Sequence, residues 1–266
     1  MSQTGQTIVR PSAEVPRLEA LPQAVVAFRR DLDDGQCIAP HRHRRAQLVY
    51  ASRGVMTVTT ADGAFVVPPH RAVWLPGGVE HRIEARGPVA MRTLYVEPDA
   101  GPGLPTSVCV LHVTPLLREL VLTAVEAAQD YPPNSPEQRL MSVILDQIRI
   151  LPVAPLALPM PSDRRLRRVV DGLMADPSDQ RGLDTWAHQA GASGRTLARL
   201  FDAETGMSFR AWRQQLRLLR ALERLAAGDA VTTVAMDMGY DSPSAFTAMF
   251  RRNMGEAPTR YFRRAV

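Results

Sequence analysis

The chain of 266 residues carries 45% hydrophobic and 22% charged residues, the balance of a globular protein, and its length fits two domains that each bury a core. No apolar run reaches the roughly 18 to 20 residues that span a bilayer, and the amino terminus lacks a basic stretch ahead of an apolar core, so a membrane protein is excluded and the cytoplasm is the expected location. The net charge of +5 is uneven, with 15 Arg against 16 acids in residues 1–163 and 17 Arg against 11 acids in residues 164–266.

Residues 1–23 read as an amino-terminal arm. From Ala24 to His112, apolar and polar positions alternate in short runs such as QLVYAS, GVMTVTT, AFVVP and AVWLP, broken by Gly and Pro, and predict an antiparallel β domain folded into a small barrel. Asp62-Gly63 predicts a tight hairpin. His41 and His43, one residue apart, project to the same face of an extended chain. If that face is inward, His41, His43, Gln47 and His81 form one site, either for a divalent ion such as zinc, iron, nickel or copper or for an organic effector. Trp74 and Tyr50 are assigned to the core, His70 to no role, and no residue to catalysis. Cys37 and Cys109 lack metal-ligand spacing and read as two reduced thiols. Over residues 113–150 the period becomes helical, from Thr114 to Gln129 and from Pro136 to Ile150, with Leu116, Leu117, Leu120, Val121 and Val125 on one stripe. These helices are expected to pack on each other or on a second copy of the chain. Residues 151–163 are rich in proline, which removes donors and fixes φ, so they predict a semi-extended linker with no regular element.

Residues 164–266 are helical in pattern throughout and hold the excess positive charge, which suits displacement of the counterions around nucleic acid. An internal repeat emerges at an offset of 49: Ser193, Leu197, Phe201, Gly206 and Trp212 return as Ser242, Phe246, Phe250, Gly255 and Tyr261. Short helical stretches ending in glycine, Ala187–Gly191 and Ala235–Gly239, precede the serines, and the second turn is one residue longer. Each copy therefore predicts helix, glycine turn, helix. In the first, Ser193 caps a helix whose stripe is Leu197, Leu200 and Phe201, leaving Arg195, Thr196, Ala198, Arg199 and Asp202 off the stripe. In the second, Ser242 caps, Pro243 takes the first helical position, and Phe246, Met249 and Phe250 leave Ser244, Thr247, Ala248 and Arg251 outward. Between the copies, Ser208 to Ala227 predicts one helix of about 30 Å, comparable to a turn of duplex DNA. Two reading helices held in successive major grooves follow, the first bridging guanine N7 and O6 through arginine, the second adding phosphate and methyl contacts. The rival reading is a helical module that binds an acidic protein.

Ala187, Gly191, Ser193, Leu197, Arg199, Phe201, Gly206, Arg217, Ala221, Leu225, Ala235, Gly239, Tyr240, Phe246, Phe250, Gly255, Pro258 and Tyr261 together resemble the paired helix-turn-helix domain of AraC/XylS regulators. The resemblance implies that Arg195, Ala198 and Arg199, and Pro243, Ser244 and Thr247, face DNA; Ala198 and Ala248 depart from it, standing where longer polar side chains are common. The spacing His41-x-His43-x3-Gln47-x6-Gly54, then Pro76-x-Gly78-x2-His81, is similar to the two motifs of cupin barrels, shared by the sensor domains of many such regulators. Gln47 departs from that pattern, where metal-binding cupins carry Glu. The expected fold is α+β: a cupin-like antiparallel barrel of jelly-roll type with following helices, then an all-α domain of two helix-turn-helix units. The expected function is sequence-specific transcription regulation without enzymatic activity. Double-stranded DNA, a small-molecule or divalent-metal effector, RNA polymerase and a second copy of the chain are the expected partners. The alternative is a cupin-type metal-dependent enzyme fused to a DNA-binding domain.

Overall fold

The computed structural model describes residues 9–10, 15–150 and 157–263. The first part contains β1 (Val9–Arg10), α1 (Val15–Glu19), β2 (Val25–Leu32), β3 (Cys37–His41), β4 (Ala46–Thr60), β5 (Gly63–Val67), β6 (Arg71–Leu75), β7 (His81–Val96) and β8 (Cys109–His112). Two long strands form the spine: β4 and β7 pair antiparallel from Ala46 opposite Val96 to Thr60 opposite His81, with register shifts between Ala51 and Val55. Such irregularities bend a strand pair. On one half of the spine β2 joins β7 over Val89–Val96, and β6 joins β4 over Gln47–Tyr50, with β8 beyond it. On the other half β3 joins β7 near His81, with β1 parallel beyond it, and β5 follows on β4.

The sheet is antiparallel as expected, apart from β1, but it does not close into a barrel. Closure requires hydrogen-bonded partners on both sides of every strand. Here the spine serves two half-sheets, and the pairing runs out at β8 and β2 on one half and at β1 on the other among the described residues. The alternation expected in QLVYAS is also absent, because residues 46–52 are buried on both faces. Leu48 and Tyr50 pack with Trp74 and Leu94 against α2 (Pro115–Ala124) and α3 (Pro136–Ile150), while Gln47 belongs to the opposite face.

Helix α2 is shorter than its pattern suggested. Thr114 caps it by accepting from the Leu117 amide at 3.2 Å, and it ends at Ala124 rather than near Gln129. Its buried stripe is Leu117, Val121 and Ala124, whereas Leu116 is 54% exposed. One residue is a 100° rotation on a helix, which carries Leu116 off a stripe centred on Leu117. Cys37 and Cys109 are both buried and unbridged.

The chain divides into two compact units, the sheet with its helices and a helical unit. Most of the expected linker, residues 151–156, lies outside the described residues. The expectation that it holds no regular element is corrected by β9 (Ala157–Pro159), a three-residue strand closed by a proline at its last position. The helical unit runs α4 (Arg164–Ala175), α5 (Leu183–Ala190), α6 (Gly194–Thr205), α7 (Phe209–Ala226), α8 (Val231–Asp237), α9 (Pro243–Met254) and α10 (Pro258–Arg263). Its centre is α7, whose 18 residues span about 27 Å. Asp163 caps α4 through the amides of Arg165 and Leu166, and Ser208 caps α7 through that of Ala211.

Candidate nucleic-acid interface and histidine cluster

The two glycine turns of the repeat close by the same backbone bonds. Ala192 N donates to Ala187 O and Gly191 N to His188 O; in the second copy Tyr240 N donates to Ala235 O and Gly239 N to Met236 O. The extra residue then precedes Ser242, after which the copies run in step again. Ser193 accepts from the Thr196 amide and Ser242 from the Ala245 amide, each at 3.2 Å. Leu197 and Phe201 are fully buried under α6, as are Phe246 and Phe250 under α9, and Met249 is buried beside them. Phe201 meets Trp212 at 6.2 Å between ring centroids, and Phe250 meets Tyr261 at 5.7 Å, so each second helix is anchored by an equivalent aromatic pair.

Burying these sides fixes the others. On α6, Arg195, Arg199 and Asp202 are exposed, Thr196 and Ala198 half-buried; Leu200, placed on the stripe by its spacing, is also half-buried. On α9, Ser244, Ala248 and Arg251 are exposed, Pro243 and Thr247 half-buried. Pro243, Ser244, Thr247, Ala248 and Arg251 line one shallow concavity of about 330 Å³. Many arginines of this unit are paired, including Arg167 with Asp171, Arg181 with Asp179, and Arg224 with Asp229 and Asp237. Among the described residues, Arg195, Arg199 and Arg251 have no ion-pair partner. Unpaired guanidinium groups keep all their donors available to an external acceptor.

In the sheet unit, the structure brings His41, His43 and His81 together. Ligand nitrogens of the three lie within 4.8 Å of one another, with ring centroids 4.3 to 5.8 Å apart. His41 ends β3 and His81 begins β7, where they are opposite each other in the ladder, while His43 comes from the connection between β3 and β4 and Gln47 from the start of β4. The loop before β7 reaches His43 because Gly77 has no side chain: a Cβ there would lie 2.0 Å from Arg44 O, and next to it Gly78 N donates to His43 O at 2.8 Å.

Hydrogen bonds fix the rings. Nδ1 of His41 donates to Ala39 O at 2.8 Å, that of His81 to Val79 O at 2.9 Å, and that of His43 to Arg45 O at 2.6 Å. These carbonyls only accept, so each Nδ1 carries a proton and, in a neutral ring, Nε2 carries the lone pair. His81 Nε2 is buried with no hydrogen-bond partner. Burial holds the His81 imidazole neutral, its pKa pushed down to about 3, and lowers that of His41 as well. Gln47 Nε2 donates to Thr93 Oγ1 at 2.8 Å, and Thr93 donates to Leu48 O at 2.9 Å. That chain places Gln47 Oε1 3.1 Å from His43 Nε2. Three imidazole nitrogens within 4.8 Å of one another, with His81 Nε2 buried and short of a partner, fit a divalent transition ion.

Sequence reasoning missed Thr93, which orients Gln47, and Tyr95, whose ring stands 5.1 Å from that of His43. Both lie on β7, some fifty residues downstream, in a run that reads only as core. Trp74 and Tyr50 are in the core, as assigned.

Residues 186–264 match the helix-turn-helix domain family, and residues 23–129 match the AraC-like ligand binding domain family. The chain is 39% identical over 243 residues to the HTH-type transcriptional regulator NimR of Escherichia coli K12, covering 91% of this chain and 89% of that one. It is 37% identical over 103 residues to the HTH-type transcriptional regulator RipA of Corynebacterium glutamicum, covering 39% and 31%. Among solved structures, ToxT of Vibrio cholerae O395 overlays with a TM-score of 0.39 at 9% identity, covering 90% of this chain and 97% of that one.

Proposed function

Since the chain belongs to the AraC family of helix-turn-helix transcription regulators, with an amino-terminal ligand-binding domain, we propose that α6 and α9 read duplex DNA in successive major grooves. Ser193, Arg195, Thr196, Ala198 and Arg199 form the first contact set, and Pro243, Ser244, Thr247 and Arg251 the second. The observation that carries this reading is the pairing of a buried aromatic side with an outward side whose arginines lack acidic partners, repeated twice around one helix. Arg195 and Arg199 lie one turn apart and suit guanine edges, while the smaller α9 surface suits phosphates and thymine methyls. Selection from a random duplex pool tests it: the chain is expected to enrich one sequence with two half-sites about one helical turn apart. Enrichment of no sequence, with binding instead to an acidic protein, would favour the interaction-module reading.

The histidine cluster is the proposed effector site of the ligand-binding domain. His41, His43 and His81 would hold a divalent transition ion through Nε2, with Gln47 Oε1 beside them; the ion would supply positive charge in a site whose own groups are an amide and neutral or weakly basic rings. The cluster is read as a ligand holder because it lies within residues 23–129, which match the AraC-like ligand binding domain family. Calorimetric titration with zinc, nickel or cobalt is expected to show one binding event lost in His81→Ala, and DNA affinity measured with and without the ion reports whether the event regulates. A change in DNA affinity draws on differential binding to two states of the protein. Association of two copies, contact with RNA polymerase and a cytoplasmic location complete the proposal. None of the described helices is long and apolar enough to cross a membrane.

A further inference from the structure

Arg217 lies in the middle of α7, far in sequence from both reading helices, and is 8% exposed. Its guanidinium donates to backbone through Nε and Nη2. Nε donates to Pro177 O at 2.8 Å, and Nη2 to Asp179 O at 2.9 Å and Ser178 O at 3.3 Å, three successive carbonyls of the loop between α4 and α5. That loop is itself internally tied. Ser178 Oγ donates to Asp176 at 2.6 Å, the Asp179 carboxylate takes the amide and guanidinium of Arg181, and Arg181 in turn lies over the Trp186 ring at 3.9 Å.

The same loop also meets the turn of the second copy. Gln180 Nε2 donates to Gly239 O, and Arg217 stands 5.8 Å from the Tyr240 ring. Gly239 adopts φ 73°, and a Cβ there would lie 2.6 Å from Ser178 O and 3.0 Å from Arg217 Nη2, so the close approach depends on its having none. One junction therefore fixes two things at once: the start of α5, which packs on α6, and the residues immediately ahead of α9.

We propose that Arg217, with Gln180 and Gly239, is a positioning clamp that sets the angle and separation between the two reading helices, and so the half-site spacing the chain accepts. The inference rests on the DNA reading proposed above. A planar fork spans consecutive carbonyls in a way an ammonium cannot, so Arg217→Lys keeps the charge but loses the geometry. Neither Arg217 nor Gln180 belongs to the outward sides of α6 and α9, so the clamp acts on geometry and not on base contacts.

The test uses the full chain and the duplex it selects, alongside copies with two base pairs inserted between the half-sites, which turn one half-site by about 70°. The wild-type chain is expected to lose about tenfold or more in affinity on insertion, whereas Arg217→Lys loses only about two- to threefold, with unchanged base preference in each half-site. Circular dichroism checks that the variant folds; should it not, Gln180→Ala, at an exposed position, carries the same test with an intermediate ratio expected. An unchanged tenfold penalty in the folded variants overturns the clamp and leaves the DNA reading intact. A wild-type chain that selects no duplex overturns both.

Discussion

Helices α6 and α9 start from a serine that accepts the amide three residues on, bury residues at the same two positions and stop at a left-handed glycine, Gly206 or Gly255. At the offset of the repeat, Leu197 and Phe201 match Phe246 and Phe250, all fully buried, while Arg195, Arg199 and Asp202 face outward where the second copy has Ser244, Ala248 and Arg251. The interior stays apolar while the exterior changes in charge and size. An inward change costs packing in a close-filled core, whereas an outward change meets only solvent or DNA. The two copies are therefore one scaffold presenting two chemistries.

The comparison breaks most directly in the core. Phe201→Ala and Phe250→Ala are each expected to cost about 3 to 5 kcal/mol in urea unfolding of the full chain, and a loss confined to one copy would show that the scaffolds are not equivalent. On the outside the copies should diverge. Arg199→Ala is expected to cost about 1 to 3 kcal/mol at one preferred base pair and to relax selection there, whereas Ala248→Ser, at the matching position, should leave the selected sequence unchanged. Removing either cap, Ser193→Ala or Ser242→Ala, should lower stability by about 1 kcal/mol and by similar amounts, read from thermal unfolding. The smallest effect is assigned to Arg251→Ala, which should flatten the salt dependence of binding by about one in log–log slope while keeping base preference.

The helical unit was legible because its signals are local. A serine cap, an apolar pair four residues apart and a stop at glycine all lie within one helix, and the repeat states them twice. The one-residue difference between the turns was visible for the same reason. The sheet unit was legible only in part. The histidine spacing placed His41 and His43 on one face, but no local signal says that Thr93 orients Gln47 or that Tyr95 lies against His43. Leu116 was misplaced because a run of apolar residues leaves the centre of the buried stripe undefined until the helix has a surface to lie on.

By itself, the amino-acid sequence determined the division into a β-rich part and a repeated helical part, the caps and stops of α6 and α9, and which of their residues turn inward, since period and capping are properties of neighbouring residues. Only the tertiary structure decided that β4 and β7 carry two half-sheets instead of closing a barrel, that three imidazoles converge with an amide held by Thr93, and that Arg217 ties a loop of the first copy to the turn of the second. Each of these depends on bonds between residues distant along the chain, and such bonds exist only once the backbone has been folded far enough to bring their donors and acceptors into reach.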